Sequence, residues 1–437
     1  MENSRFQELH VYGWRQFHSV HIPVHPRLTV ITGANGAGKT TLLGIMAQHF
    51  GWERPLLATP QRSEDGTVSY LTGAGYLKGA LRELLDMMGG HPPVIMFGQI
   101  TPIGKIIYSN GVSSVISVPS AGGIQYSINI HAQQSVAGLY IPSHRALSKY
   151  QPVGSIPTEG VSASQAYQTY KNEEYNRWSG GGYGASPFFR LKEALIAMAT
   201  FGEGNAYVRG RSDLLRTYVD FIEVLRKVLP ETLGFETISI RTPDVILVTK
   251  SGEFLLDAVS GGISSLIDLA WQVHVFSQDK KAFTVVIDEP ENHLHPSMQR
   301  RLLPSFTEAF PSVQFIVATH SPFIVTSVKD SSVVVLSYKE DMDASDQGIA
   351  MERSVRSTSL DQINKAGSAD EILRDVLGLE STVPLWAAKE LKSVVDRYRG
   401  GDFTGDSVDQ LSAELDALGL SLKLPVAIES IFSEGKK

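Results

Sequence analysis

The chain has 437 residues, of which 42% are hydrophobic and 19% charged, and a formal net charge of −7. That length exceeds one simple core, so two or three lobes are expected, and the acidic balance excludes the whole-protein basic footprint of non-specific nucleic-acid binding while leaving a local patch open. The absence of cysteine excludes disulfides, Cys-ligated zinc, iron–sulfur clusters and thiol nucleophiles, and fits a reducing cytoplasm.

In chain order, MENSRFQELHVYGW lacks the basic and apolar regions of a signal peptide. No segment approaches the roughly 18 apolar residues of a membrane span. FQELHVYGW, VHIPV and LTVIT read as strands, and GANGAGKTTLLGIMAQHF as a loop running into a helix. Residues 67–145 predict antiparallel strands (VSYL, PVIMFGQI, KIIYS, SVISV, IQYSINI, GLYIPS) with Asn-Gly and Gly-Gly turns. Residues 146–186, rich in Ser, Gly, Tyr and Pro, predict a long loop. Two helices follow, PFFRLKEALIAMATF and SDLLRTYVDFIEVLRKVL, the second with Leu214, Leu215, Val219, Ile222, Val224 and Leu225 at roughly helical spacing. Strands FETISIR, DVILVTK and EFLLDAV precede the helix SGGISSLIDLAWQVHVF. FTVVID and VQFIVAT are near-continuous apolar runs, as buried parallel strands are. The chain turns polar after Leu336 and reads as helical from Ser368 onward. This gives lobe I at 1–145, a loop and helical insertion at 146–235, lobe II at 236–340 and a helical C-terminal region at 341–437.

Gly33-Ala34-Asn35-Gly36-Ala37-Gly38-Lys39-Thr40 matches a phosphate-binding loop and has the required strand before it and helix after it. Its glycines let backbone N–H groups turn toward phosphate oxygens, and the helix N-terminus adds its dipole. Asn35 to Thr41 are the expected nucleotide contacts: Lys39 reaches the β- and γ-phosphates, and the Thr40 hydroxyl ligates Mg²⁺.

VVIDEPENHLHP (285–296) crowds Asp, Glu and His, the usual ligands of a transition metal. The strand ends in Asp288-Glu289, however, where a second Mg²⁺ contact belongs. Asp288 is expected to hold magnesium and Glu289 to polarise the attacking water as general base. The i, i+2 spacing of His293 and His295 would place them on opposite faces of a strand, so a loop contacting a partner subunit is the better reading. FIVATHSP ends in His320, at the same sheet edge as Glu289. It is either a γ-phosphate sensor or a strand-end histidine with no role. Ser260-Gly261-Gly262 before an apolar helix is either a helix cap or a second phosphate-binding face.

The order GANGAGKT, SGG, VVIDEP, ATHSP resembles the ABC-type ATPase head, and within it the RecF, SMC and OLD-like branch. DEPENHLHP followed by ATHSP is similar to the OLD-like ATPases. YGWRQF resembles that branch's opening strand. Arg15 matches its arginine, with Trp14 for phenylalanine and Gly13 for asparagine. The signature departs from the transporter form, with Val259 before the serine and Ile263 after the glycines. YIPSHR lies where the Q-loop is expected, making Ser143 to Arg145 its candidates. The implied fold is α/β, a mixed sheet around the loop helix plus an antiparallel lobe, a helical insertion and a helical tail. The resemblance also implies a dimer that sandwiches ATP, with Ser260 and Gly262 of one subunit facing Lys39, Thr40, Asp288 and Glu289 of the other.

A Toprim-type nuclease needs a glutamate and an Asp-x-Asp pair after separate strands. The Asp-x-Asp after His320 is Asp341-Met342-Asp343, in a stretch that looks like a hairpin turn. Asp402, Asp406 and Asp409 lack EF-hand spacing and read as a turn and helix cap. No nuclease is therefore expected in this chain. The tail resembles the stand-alone ATPase subunits of Septu- and PARIS-type antiphage systems, which implies a separate effector, usually a nuclease, and an antiphage role. Two other readings stay open: a RecF-like repair ATPase that binds DNA, and a nucleotide-gated module that barely hydrolyses.

Overall fold

The computed structural model describes residues 4–62, 65–73, 100–120, 123–145, 149–181, 184–340, 353–361, 366–379, 384–398 and 405–433. Its centre is an eleven-stranded sheet. In order these strands are Asn129–Ile130, Ser113–Pro119, Ile100–Tyr108, Phe6–Trp14, Phe17–Pro23, Arg353–Ser359, Ser332–Glu340, Leu28–Gly33, Val313–Ala318, Phe283–Asp288 and Gly138–Ile141. The last five are mutually parallel, and the first five are antiparallel.

The apolar runs explain this split. Phe283–Asp288 and Val313–Ala318 are buried at every position, as strands covered on both faces must be. The antiparallel strands alternate instead: Leu9 and Val11 join the core that includes Leu42, Leu43, Ile45 and Met46 of helix Lys39–Ala47, while Glu8, His10 and Tyr12 face the other way.

Three expectations need correction. Gly138–Ile141, read as antiparallel, pairs parallel with Phe283–Asp288. Within the predicted loop 146–186, Ala163–Trp178 is a helix. Its start signal is a capping box, in which the Ser162 side chain accepts from Gln165 N–H and the Gln165 side chain from Ser162 N–H. Its sequence is polar, and Ala163, Ala166, Tyr170 and Glu174 are what it buries. The region from 341 on is also not helical throughout, because Arg353–Ser359 enters the sheet between Phe17–Pro23 and Ser332–Glu340. The polar register RSVRSTS hid that strand, whose Val355 is fully buried. Asp341 to Asp343, Asp402 and most of the predicted strand PVIMFGQI lie outside the described residues. Asp406 stands in the first turn of helix Gly405–Ala417.

Helices Ala163–Trp178, Pro187–Glu203, Ser212–Val228, Gly261–Ser277 and Pro296–Ala309 pack against one another, with Phe221 edge-on to Trp271 at 4.9 Å. The predicted strands FETISIR, DVILVTK and EFLL form a separate three-stranded antiparallel sheet. Residues 1–372 form one compact unit and 373–437 a second. In the second, helices Leu385–Tyr398, Gly405–Ala417 and Leu424–Ser433 bury Ala387, Val394, Leu411, Leu415 and Ala427. Among the described residues, no helix is long and apolar enough to cross a membrane.

Gly33 ends the central strand at φ 141°, and a Cβ there would lie 2.2 Å from the Leu336 carbonyl oxygen. Gly33→Ala is therefore expected to cost about 3 kcal/mol or more, from backbone strain plus the clash, and thermal unfolding will measure it.

Candidate nucleotide site

The sheet brings the predicted motifs together at one edge. The strand ending at Gly33 lies beside the one ending before His320, which lies beside the one ending in Asp288. One strand thus separates the loop from the acidic pair, and His320 emerges between them.

Lys39 is buried, and its Nζ donates to the carbonyls of Gly33 (2.9 Å) and Ala34 (3.0 Å). Nζ also stands 3.4 Å from His320 Nδ1. Burial lowers the Lys39 pKa to about 8. Gly38 is held at φ 91°, where a Cβ would meet the Phe17 ring at 2.3 Å, so the loop has no room for a side chain there. Gln16 Nε2 donates to the Gly36 carbonyl (3.3 Å), a loop contact that sequence reasoning did not anticipate. Asn35 and Gly36 are exposed at the loop tip, Ala37 is buried, and Thr40 and Thr41 begin the helix.

Thr40 Oγ1 donates to Asp288 Oδ2 at 2.8 Å. Burial, with Glu289 and Glu291 nearby, raises the Asp288 pKa to about 6. A hydroxyl and a carboxylate at this separation, crowded by two more carboxylates, suit a hard oxygen-seeking cation such as Mg²⁺.

Glu289 sits at φ 48°, a costly conformation for a residue with a side chain. Its Oε1 is 3.6 Å from His320 Nε2, and its Oε2 accepts from Asn292 Nδ2 at 3.1 Å. Asn292 donates in turn to the Ser143 carbonyl at 3.1 Å. Burial, then Lys39, lowers the His320 pKa, with Glu289 opposing. Glu291 is the anchor below: its Oε1 accepts from Thr319 Oγ1 (2.6 Å) and His320 N–H (2.9 Å).

Arg145 sits behind this loop. Its Nη2 fans over the carbonyls of Glu289 (3.3 Å), Pro290 (3.3 Å) and Asn292 (3.5 Å). Around it, a cavity of about 240 Å³ is lined by Glu174, Asp257, Asp268 and His293, among others. Asp268, on the helix that follows Ser260-Gly261-Gly262, has its pKa raised to about 7 by burial, with Arg145 opposing. Burial likewise raises Glu174 to about 7. Neither carboxylate carries a sequence signal, because the partners are far apart in the chain.

A carboxyl raised in the folded state favours folding when protonated, and that contribution is lost as pH rises from the ordinary value toward 7. Asp268→Asn removes the titration. Its melting temperature relative to wild type is thus expected to climb between pH 5.5 and 8, which thermal scans at both pH values will check.

Ser260 caps helix Gly261–Ser277, accepting from Ile263 N–H at 3.5 Å, and both Ser260 and Gly261 are exposed. Gly262 rests on the acidic-strand loop, where a Cβ would lie 3.1 Å from the His293 carbonyl. His293 takes φ 70° in that loop. His295 caps helix Pro296–Ala309, its Nδ1 accepting from Ser297 N–H at 3.3 Å. The two histidines thus serve a turn and a cap in the loop that their spacing pointed to.

Arg15 donates to the Tyr126 hydroxyl (3.0 Å) and the Leu57 carbonyl (3.0 Å). It lines a cavity of about 960 Å³ that opens beside Thr40 and Thr41 and includes Trp52, Arg54, Tyr140 and Trp178. Trp14, in place of phenylalanine, is fully buried with Nε1 donating to the Thr72 carbonyl (3.0 Å).

A phosphate-type loop, an acidic strand end one strand away, a histidine strand between them and a Ser-Gly-Gly helix thus make up a candidate P-loop nucleotide site. Known proteins carry the same signals. Residues 8–68 match a profile described as "AAA domain", and residues 245–326 one described as "AAA domain, putative AbiEii toxin, Type IV TA system". The chain is similar to Septu protein PtuA of Bacillus thuringiensis, with 27% identity over 168 residues, 36% of this chain and 40% of that protein. It is also similar to the retron Ec83 probable ATPase of Escherichia coli, with 21% identity over 392 residues, 76% of this chain and 71% of that protein. The match thus spans about two fifths of the Septu relative's length. Among solved structures, an SMC head bound to the C-winged helix domain of ScpA aligns with TM-score 0.43 and 14% identity, over 82% of this chain and 98% of that one.

Proposed function

We propose that this chain is an ATP-hydrolysing sensor and scaffold that closes around ATP as a dimer or higher oligomer and controls a separate effector in antiphage defence. The observation that carries the ATPase half is the convergence of Lys39, Thr40, Asp288, Glu289 and His320 at one sheet edge. The dimer half rests on Ser260 and Gly261, which stand exposed at a helix N-terminus, where N–H groups suit a phosphate on an opposing head. The defence role and the separate effector, a nuclease or toxin, rest on the kinship with the Septu and retron proteins.

In this reading the loop N–H groups and Lys39 hold the β- and γ-phosphates. Thr40 and Asp288 would hold Mg²⁺, which when bound neutralises phosphate charge. Glu289, a third exposed, takes the proton of the attacking water, aimed by Asn292 on one oxygen and faced by His320 on the other. Arg145 keeps the strained loop in place through its carbonyls. Closure depends on ATP through contacts that exist only between two heads, so hydrolysis changes the assembly.

The test is affinity purification of Glu289→Gln from the native host, with the particle mass and the co-purifying chains identified. A stoichiometric nuclease or other toxin is the expected companion. A homo-oligomer carrying only DNA would replace this reading with a RecF-like repair ATPase.

A further inference from the structure

We propose that Glu8, His10 and His21 form a binding site for a divalent transition metal of the zinc class, on the sheet face opposite the nucleotide-loop helix. The strand register builds it. His10 and His21 are directly paired across the first hairpin, and Glu8 lies two residues before His10 on the same face. The imidazoles stack at 4.3 Å with 12° between planes. Both converge on one carboxylate oxygen, Glu8 Oε2, at 2.6 Å from His10 and 3.3 Å from His21. The three donor atoms lie within 4.8 Å of one another. Donors of a tetrahedral zinc with bonds of about 2.1 Å stand roughly 3.4 Å apart, so modest side-chain rotation suffices.

A further contact prepares the site. Tyr12 Oη lies 2.6 Å from His10 Nδ1 and orients the buried ring, leaving Nε2 for the metal. Ligating histidines commonly have such a partner on the other ring nitrogen. Two imidazoles and one carboxylate are a borderline-soft set that suits zinc over magnesium or calcium. Lys105, opposite His10 on the neighbouring strand, is a cation facing the group, and it opposes the bound charge. With three protein donors, water completes the coordination. The bound ion would pin together the two strands of the hairpin whose turn residue Gln16 and strand residue Phe17 rest against the phosphate loop.

The test is calorimetric titration of chelator-stripped, nucleotide-free protein with zinc chloride, alongside melting temperature with and without zinc. Wild type is expected to bind one zinc per chain and to melt higher with it. His21→Ala and Glu8→Gln are each expected to weaken that binding by about 10-fold or more and to lose the zinc-dependent rise. His21 is exposed and Glu8→Gln conserves shape, so both variants should fold, which circular dichroism checks. No stoichiometric zinc in wild type, or variants that bind as wild type does, would overturn the site. The second result would send the metal to other histidines, such as His293 and His295.

Discussion

Glu289→Gln is expected to retain ATP binding, to lose turnover by about 10²–10⁴-fold, and to accumulate in the ATP-bound closed assembly. Gln keeps the side chain's length and its hydrogen bond with Asn292 but cannot accept the proton of water. The phosphate contacts of Lys39 and the loop do not depend on Glu289, so affinity survives. Steady-state phosphate release and nucleotide binding, measured on one preparation, separate the two effects. If Glu289→Gln turned over at the wild-type rate, Glu289 would not be the base. If wild type and variant were equally slow, the chain would be a nucleotide-gated module and not a working ATPase.

Lys39→Ala is expected to abolish ATP binding at ordinary concentrations, weakening it by about 10²-fold or more. Hydrogen bonds to charged groups contribute about 1.5–3 kcal/mol each, and Nζ is placed to reach two phosphates. In the structure that ammonium is satisfied by the Gly33 and Ala34 carbonyls, so it is already inside the loop before any phosphate arrives. Burial has lowered its pKa to about 8, and an incoming phosphate favours the charged form. ATP binding should therefore take up a proton near that pH, and affinity should fall as pH rises beyond it. Calorimetry in buffers of different ionisation enthalpy measures the uptake, and Lys39→Ala should remove it.

Much of this site was legible in the sequence because its requirements are local. Gly33 and Gly38 stand where a Cβ would strike a neighbour, and that shortage of space is what the glycine pattern records. Asp288 and Glu289 were readable because desolvating two adjacent carboxylates at the end of a buried strand is costly unless a cation or a proton transfer uses them. Arg145, Glu174 and Asp268 were not readable as a group: they come from a strand-end loop, an inserted helix and the Ser-Gly-Gly helix, and only the fold joins them. Helix Ala163–Trp178 was missed although its capping box was in plain sight, because its polar face outweighed the four residues it buries. Strand Arg353–Ser359 was missed because its sheet pairing, not its composition, makes it a strand. His293 and His295 drew attention as a metal pair, while the histidines that do converge, His10 and His21, are eleven residues apart and meet through hairpin register.

In the proposed assembly, one chain holds half of each ATP site and a second copy supplies the rest through Ser260 and its helix. The most direct measurement is the solution mass of Glu289→Gln with and without Mg–ATP, repeated with Ser260→Arg added. ATP is expected to at least double the mass, and Ser260→Arg is expected to block the change while Lys39-dependent ATP binding persists. A mass that ATP leaves unchanged, in a chain that binds ATP fully, would contradict that assembly.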